Sequence, residues 1–142
     1  MKIHVVNGPN LNMLSRRDPN VYGKIGYAEL VEKIKKWCEE NRVEVDFFQS
    51  NHEGKIVDYI QKLPDEDAIV INPGALAHYS YALRDALEMF KGVKVEVHIS
   101  NVFKREAFRM QSVTAAVCDG ILSGFGSAGY VLAIQFILSR RD

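Results

Sequence analysis

The sequence lacks the residues that mark secreted, membrane-spanning or metal-binding proteins. It has two cysteines, Cys38 and Cys118, and no cysteine and histidine cluster at the spacing of metal ligands. We therefore expect no metal and two buried free thiols, as in a reducing cytoplasm. No apolar run approaches the ~20 residues that span a bilayer, and Met1 and Lys2 lead straight into an apolar segment without a secretory signal. These absences predict a cytoplasmic protein with no membrane partner.

An excess of one charge is also missing. Lys and Arg together number 18, as do Asp and Glu, so the formal net charge is zero. This balance argues against nucleic acid as the main partner, because nucleic acids bind through an excess of positive charge. Low net repulsion permits association with further copies of the chain. A length of 142 residues, 47% of them apolar, predicts a single domain over residues 1–142.

Strand-like and helix-like segments alternate along the chain. Short apolar segments predict strands at residues 3–7, 43–49, 68–72, 93–99 and 117–122. Apolar residues at helical spacing predict helices at 27–42, 56–63, 83–90, 104–110 and 128–139. Apolar strands that alternate with helices favour a parallel sheet covered on both faces. We therefore predict an α/β fold, a flavodoxin-like three-layer sandwich with a five-stranded parallel sheet of order 2-1-3-4-5.

Polar residues follow three of these predicted strands. They occupy residues 7–10 (NGPN), 72–74 (NPG) and 96–101 (EVHISN). In the predicted order these strands are neighbours, and ligands bind outside the carboxyl ends of such strands. Any one cluster is explained by the turn-forming tendency of Asn and Gly. Three clusters at adjacent strand ends favour a binding site.

Glu96 and His98 are two residues apart on the predicted fourth strand, so their side chains point to the same side. Glu96 can hold the imidazole ring and favour its charged form, which makes His98 a candidate proton donor. The alternative is a structural ion pair. Arg105 and Arg109, four residues apart, share a face of the predicted short helix. Such a pair can grip a carboxylate or line a polar pocket, and the alternative is a solvated face.

A polar segment without periodicity, residues 15–26, is long enough to be a lid over the site. It carries Arg16, Arg17 and Tyr22. A free tyrosine, with a pKa of about 10, is a poor base at neutral pH, whereas a neighbouring guanidinium stabilises the phenolate. A packing role for the tyrosine is the alternative.

Residues 124–129 match the GxGxxG pattern of dinucleotide-binding folds. The match lies in the last strand–helix unit, so no later strand can supply the acidic residue that binds the ribose. We predict a tight turn with close helix packing at this motif. A response regulator is excluded as well, because the first strand ends in Asn and Gly rather than in an acidic pocket.

These motifs and their order resemble the type II 3-dehydroquinate dehydratases. The resemblance runs from Lys2 to about Leu138 and is unlike other flavodoxin-like families. It rests on residues 7–12 (NGPNLN), 17–19 (RDP), 22–23 (YG), 48–54 (FQSNHEG), 72–75 (NPGA), 78 (H), 84–86 (RDA), 96–101 and 105–109. It implies a hydro-lyase that dehydrates 3-dehydroquinate to 3-dehydroshikimate through an enolate, without a cofactor. The reaction would serve the shikimate pathway, for aromatic amino acid biosynthesis, or quinate catabolism.

The resemblance also implies a role for each site residue. Tyr22 would be the base that removes a proton from C2, with its phenolate favoured by Arg17. Asn10 would hold a water that stabilises the enolate. His98, oriented by Glu96, would protonate the leaving C1 hydroxyl. The remaining residues would bind substrate or order the lid: Asn72, Ile99 and Ser100 at the carboxylate, His78 and Arg109 at the ring hydroxyls, Arg105 at the lid, and Asp85 at a neighbouring subunit's site in a homododecamer of four trimers.

Three positions depart from the usual pattern of the family: Ser15 replaces Gly, Asp18 replaces Glu, and Ala77 replaces Thr. Two other functions stay open, a non-catalytic flavodoxin-like module that binds a small ligand or a protein, and a flavin or nucleotide protein. The ten lysines are expected to be mostly surface charge. None lies at a strand end among the polar clusters, so we expect no Schiff-base intermediate.

Overall fold

The strands pair in parallel into one five-stranded sheet of order β2-β1-β3-β4-β5. Their bounds are β1 (Ile3–Asn7), β2 (Val45–Gln49), β3 (Ala68–Asn72), β4 (Lys94–His98) and β5 (Gly120–Ser123). The structure, a computed structural model, describes residues 1–141, so the last residue of the predicted domain range, 142, lies outside the described residues. The predicted α/β fold and strand order are confirmed.

Helices cover both faces of the sheet. They are α2 (Tyr27–Glu40), α3 (Glu53–Gln61), α4 (Tyr81–Met89) and α5 (Ala128–Ser139), and a single-turn helix, α1 (Pro19–Tyr22), precedes them in the chain. The apolar stripes of α2 and α5 pack against one face, and those of α3 and α4 pack against the other. Burial on both faces explains why the strands read as continuous apolar runs in the sequence. Among residues 1–141, no helix combines the length and the apolar character that crossing a membrane requires.

The predicted helix at residues 104–110 is wrong. The chain forms two 3₁₀ turns, Val102–Lys104 and Ala107–Met110, separated by extended backbone at Arg105. The Arg105 guanidinium reaches back to Ser100 Oγ at 3.2 Å, and this tertiary contact favours the break. Arg105 and Arg109 therefore do not share a helix face.

Two further segments contain turns that were not predicted. The fifth strand begins at Gly120 rather than at residue 117, because the 3₁₀ turn Ala115–Val117 precedes it. That turn is held by a hydrogen bond from the backbone N–H of Ala115 to Ser112 Oγ at 3.0 Å. The predicted lid loop contains a 3₁₀ turn, Leu11–Arg16, and the single-turn helix α1.

Burial also corrects two expectations for single side chains. Lys94 is only 8% exposed, and its ammonium donates to the Phe90 carbonyl at 2.6 Å, so it is not a surface lysine. Cys38 is buried as predicted, whereas Cys118 is half-buried, and both thiols are free.

Gly8 marks the closest approach between the ends of β1 and β3. A Cβ atom at this position would lie 2.4 Å from the Pro73 carbonyl oxygen. We expect Gly8→Ala to lower the free energy of unfolding by about 1–3 kcal/mol, because two backbone segments must separate. The measurement is urea denaturation.

The matched control is Gly54→Ala in α3, where an added Cβ has no heavy atom within 4 Å. Alanine is the better helix former, so this change should be neutral or should stabilise by up to about 1 kcal/mol. Equal losses in the two variants would contradict the close approach.

Candidate active site

A cavity of about 140 Å³ lies at the carboxyl ends of β1, β3 and β4, where the strand order predicts a ligand site. Most of the predicted site residues line it: Asn10, Arg17, Tyr22, Asn72, His78, His98, Ile99, Ser100, Arg105 and Arg109. Glu96 is fully buried and contacts His98 without lining the cavity. Asp85 lies outside the cavity on α4, exposed and 3.5 Å from the Arg84 guanidinium.

The floor of the cavity rests on a buried polar network. The Tyr130 hydroxyl donates to Asn7 Oδ1 at 2.6 Å and accepts from Asn72 Nδ2 at 3.0 Å. The Gly74 backbone N–H donates to Asn72 Oδ1 at 3.1 Å. Burial raises the pKa of Tyr130, against the opposing effect of Asn72, so the hydroxyl stays a donor. The network fixes the orientation of the Asn72 amide and leaves one of its N–H groups for the cavity.

Glu96 and His98 form the predicted pair. His98 Nε2 lies 2.8 Å from Glu96 Oε2, which leaves Nδ1 as the ring nitrogen for the cavity. The His78 ring lies nearly parallel to the His98 ring, with 6.2 Å between their centroids. His78 donates through Nδ1 to the Gln111 carbonyl at 2.8 Å, so its Nε2 remains for a ligand. Two imidazole nitrogens from different elements are thus available in one cavity.

Tyr22 faces this pair with two guanidinium groups around its hydroxyl. Arg17 Nη2 donates to the Tyr22 hydroxyl, and Arg105 Nη1 donates to it at 2.5 Å. The Arg17 guanidinium also lies over the tyrosine ring, 3.7 Å from its centroid. Two guanidinium groups thus place positive charge directly at the Tyr22 hydroxyl. The contact with Arg105, which comes from a different segment, was not predicted.

Local sequence accounts for the position of Tyr22. The Asp18 side chain accepts from the Asn20 backbone N–H at 2.9 Å and caps α1, and Pro19 occupies its first position. Gly23, with a φ of 81°, ends the helix after one turn. Cap, proline and glycine therefore set Tyr22 at the last position of a single turn.

The end of β4 is held by the glycine motif of residues 124–129. Gly124 and Gly126 donate their backbone N–H groups to the carbonyls of His98 and Ile99, at 3.2 and 3.1 Å. Gly124 has a φ of 94°, and a Cβ there would lie 2.9 Å from the Asn101 Cβ. The predicted tight turn is confirmed, and its glycines pack against the segment that lines the cavity.

The charge of the cavity is positive. Arg17, Arg105 and Arg109 line it, and none of its described lining residues is acidic. Partial burial lowers the pKa of Arg17, as do Arg105 and Arg109, while Tyr22 acts in the opposite direction. An arginine keeps its proton under such shifts, so the cavity suits an anionic ligand such as a carboxylate.

Residues 1–138 match the family model described as Dehydroquinase class II. The chain belongs to the class II dehydroquinase family. It is 61% identical over 142 residues to a protein named 3-dehydroquinate dehydratase from Thermotoga maritima, with 100% of this chain and 98% of that protein covered.

Solved structures agree with this class II dehydroquinase in fold. The type II dehydroquinase from Butyrivibrio crossotus superposes with a TM-score of 0.94 at 52% identity, covering 97% of each chain. The type II dehydroquinase from Propionibacterium acnes has the same TM-score of 0.94 at 37% identity, covering 97% of this chain and 96% of that one.

One of the departures from the usual dehydroquinase pattern finds a structural account. Asp18 serves as the cap of α1, a role that a short acidic side chain fills well. Ala77 is fully buried, and its carbonyl accepts from the Val113 backbone N–H at 2.7 Å. Nothing in the structure explains Ser15.

The sequence analysis did not identify two residues that support this dehydroquinase site. Ser112 and Thr114 donate their hydroxyls to the buried carboxylate of Glu96. They lie in a segment with no strand or helix pattern, so only the need of a buried carboxylate for donors could have pointed to them.

The Tyr130 network generates a stability prediction. Tyr130→Phe removes the donor to Asn7 Oδ1, and a buried acceptor without a partner costs about 1–3 kcal/mol. Urea denaturation should show this loss. The control is Tyr27→Phe, whose half-buried hydroxyl accepts only a long bond of 3.5 Å from Asn7 Nδ2 and should cost less than about 1 kcal/mol. Similar losses in both variants would count against the network.

Proposed function

We propose that this class II dehydroquinase is a 3-dehydroquinate dehydratase, a hydro-lyase that forms 3-dehydroshikimate in the shikimate pathway. The family match and the names of its relatives support the activity. One observation carries it at the level of the site. A tyrosine with two guanidinium groups on its hydroxyl faces an imidazole–carboxylate pair across a single cavity.

The reaction begins with removal of a proton from C2, next to the ketone. Tyr22 is the base, and the positive charges of Arg17 and Arg105 stabilise its phenolate. The electrons of the broken C–H bond form an enolate, stabilised through a water held by Asn10. The Tyr22 hydroxyl then carries the proton.

The second half expels the C1 hydroxyl. As the enolate collapses, the C1–O bond breaks, and His98 donates a proton through Nδ1 so that water leaves. Glu96, 2.8 Å from Nε2, holds the ring in place, with Nδ1 left for the substrate. Exchange with solvent removes the proton from Tyr22 and restores the one that His98 has donated. Both residues thus regain their starting states, and no redox step is needed.

The remaining residues hold the substrate. Asn72, Ile99 and Ser100 bind its carboxylate, and His78 and Arg109 bind the ring hydroxyls. The support is their position around one positive cavity. The negative charge of the substrate carboxylate is complementary to the positive charge of the arginines that line the cavity.

An imine route to the same product would need a lysine in the cavity. No lysine is among the described residues that line it. Lys94, the buried one, is engaged with the Phe90 carbonyl. These positions favour the enolate route.

The proposal extends to assembly and location. The enzyme is a cytoplasmic homododecamer of single-domain subunits, in which Asp85 completes the site of a neighbour in the trimer. Large side chains that are 50% to 67% exposed support the presence of subunit interfaces: Tyr79, Tyr81, Met89, Phe103, Phe108, Met110 and Phe125. Such exposed apolar side chains mark interaction surfaces.

The activity is tested by ultraviolet absorbance. The conjugated enone product should accumulate when 3-dehydroquinate is added, and Tyr22→Phe should lower kcat about 100-fold or more, because the base is lost. Tyr59→Phe is the control. Its hydroxyl bonds His4 Nδ1 at 2.9 Å, away from the cavity lining, so kcat should stay at the parent level.

The outcomes separate the alternatives. A folded parent protein without turnover would leave a non-catalytic binding module as the function. Purified protein that carries a flavin or a nucleotide would favour a flavin or nucleotide protein. Turnover that survives in Tyr22→Phe would refute the base while leaving the activity in place.

Shared sites are tested by mixing two variants. Asp85→Ala and His98→Ala should each have low activity, and co-refolded mixtures should regain part of it. The reason is that some sites then combine an intact Asp85 with an intact His98 from different subunits. Light scattering on the parent should give a dodecamer of 16.1 kDa subunits. A monomer, or mixtures no more active than the average of the two variants, would contradict the proposal.

A further inference from the structure

Glu96 is a carboxylate with no exposure to solvent. A buried charge needs donors close by, because water no longer stabilises it. Its donors are His98 Nε2 at 2.8 Å, Ser112 Oγ at 2.7 Å and the Thr114 hydroxyl. Each hydroxyl carries a single proton, so both are committed to the carboxylate and neither is shared between Ser112 and Thr114.

The two oxygens of the carboxylate are held differently. Oε2 accepts from both His98 and Ser112, whereas Oε1 accepts from Thr114 as its one donor among residues 1–141. A carboxylate fixed at both oxygens cannot rotate about its last bond. Thr114 therefore sets the plane in which Oε2 meets the His98 ring.

Thr114 is itself rigid. It has no exposed surface, and its carbonyl accepts from the Val117 backbone N–H at 3.2 Å. Neither Thr114 nor Ser112 lines the cavity. Any effect of these hydroxyls on a reaction must therefore pass through Glu96.

The groups around the pair do not replace this support. Lys94 shares the strand face of Glu96, but its ammonium donates to the Phe90 carbonyl. Burial raises the pKa of Cys118 to about 12, and the charge of Glu96 contributes in the same direction. The thiol therefore stays neutral. Asp119 accepts from the Lys94 backbone N–H at 2.8 Å. On the cavity side, the His78 ring stacks beside His98.

We infer that Thr114, assisted by Ser112, is a positioning residue for the acid, holding Glu96 as a carboxylate aligned with His98. The inference rests on the proposed function, in which His98 protonates the leaving hydroxyl. Without the Thr114 hydroxyl, Oε1 has no donor in a site closed to water. The carboxylate then turns to seek another donor, and His98 loses its fixed partner.

The test compares Thr114→Val, which keeps the shape and removes the hydroxyl, with Thr114→Ser, which keeps the hydroxyl. Thr114→Val should lower kcat about tenfold, the effect of one hydrogen bond to a charged group, with KM within about twofold of the parent. Thr114→Ser should retain at least about half of the parent kcat. Loss of kcat alone is expected because the substrate contacts are untouched.

A double-mutant cycle separates positioning from general damage. In the Glu96→Ala background, Thr114→Val should change kcat less than about twofold, because the carboxylate that Thr114 holds is absent. The inference is overturned by the same tenfold loss in both backgrounds, by a Thr114→Ser variant as impaired as Thr114→Val, or by parent-level kcat in Thr114→Val.

A second readout does not depend on turnover. The rate at which diethyl pyrocarbonate modifies His98, followed by mass spectrometry, should rise about threefold in Thr114→Val and not in Thr114→Ser, because an imidazole ring without a fixed partner presents its nitrogens more freely to the reagent. Exposed His52 is the internal reference. If the parent shows no turnover, the proposed function fails, and the modification rates still decide the inference. If Thr114→Val does not fold, kcat and the rate of modification at His98 are measured in Ser112→Ala instead. Parent-level values of both in that variant overturn the inference.

Discussion

The structure depends on burying the carboxyl ends of parallel strands that carry polar side chains. β1 and β3 pair without offset, so Asn7 lies opposite Asn72, and β4 continues the sheet with Ile71 opposite Glu96. Helices on both faces exclude water from these positions. Each buried polar atom must then find a donor or acceptor inside the protein, and in residues 1–141 every buried side-chain nitrogen and oxygen does. This requirement accounts for the two networks beneath the cavity.

The two networks orient opposite parts of the site. Tyr130 holds the asparagines of β1 and β3, and the hydroxyls of Ser112 and Thr114 hold the carboxylate behind His98. Above them, Tyr22 sits on a single helical turn between two guanidinium groups. A hydrogen-bonded floor beneath a tyrosine on a single helical turn is the arrangement that the proposed proton transfers require.

Particular elements show where sequence reasoning succeeded and failed. The bounds of β3 and α5 match their predictions, because apolar runs bounded by polar and turn-forming residues are strong local signals. The segment after β4 was predicted as a helix and forms two 3₁₀ turns, because Arg105 extends to reach Ser100 and Tyr22. The lysines were expected to be mostly at the surface, and Lys94 is an exception, because a strand covered on both faces leaves its side chain little access to solvent.

The sequence by itself determined the order of strands and helices, the α/β class and the shared side of Glu96 and His98. These follow from periodicities that act over a few residues. Tertiary structure alone decided which distant groups complete the site. Tyr130 meets Asn7 across 123 residues, and Arg105 meets Tyr22 across 83. Such partners are set by how the helices pack on the sheet, because a buried polar group bonds whichever donor that packing brings within reach.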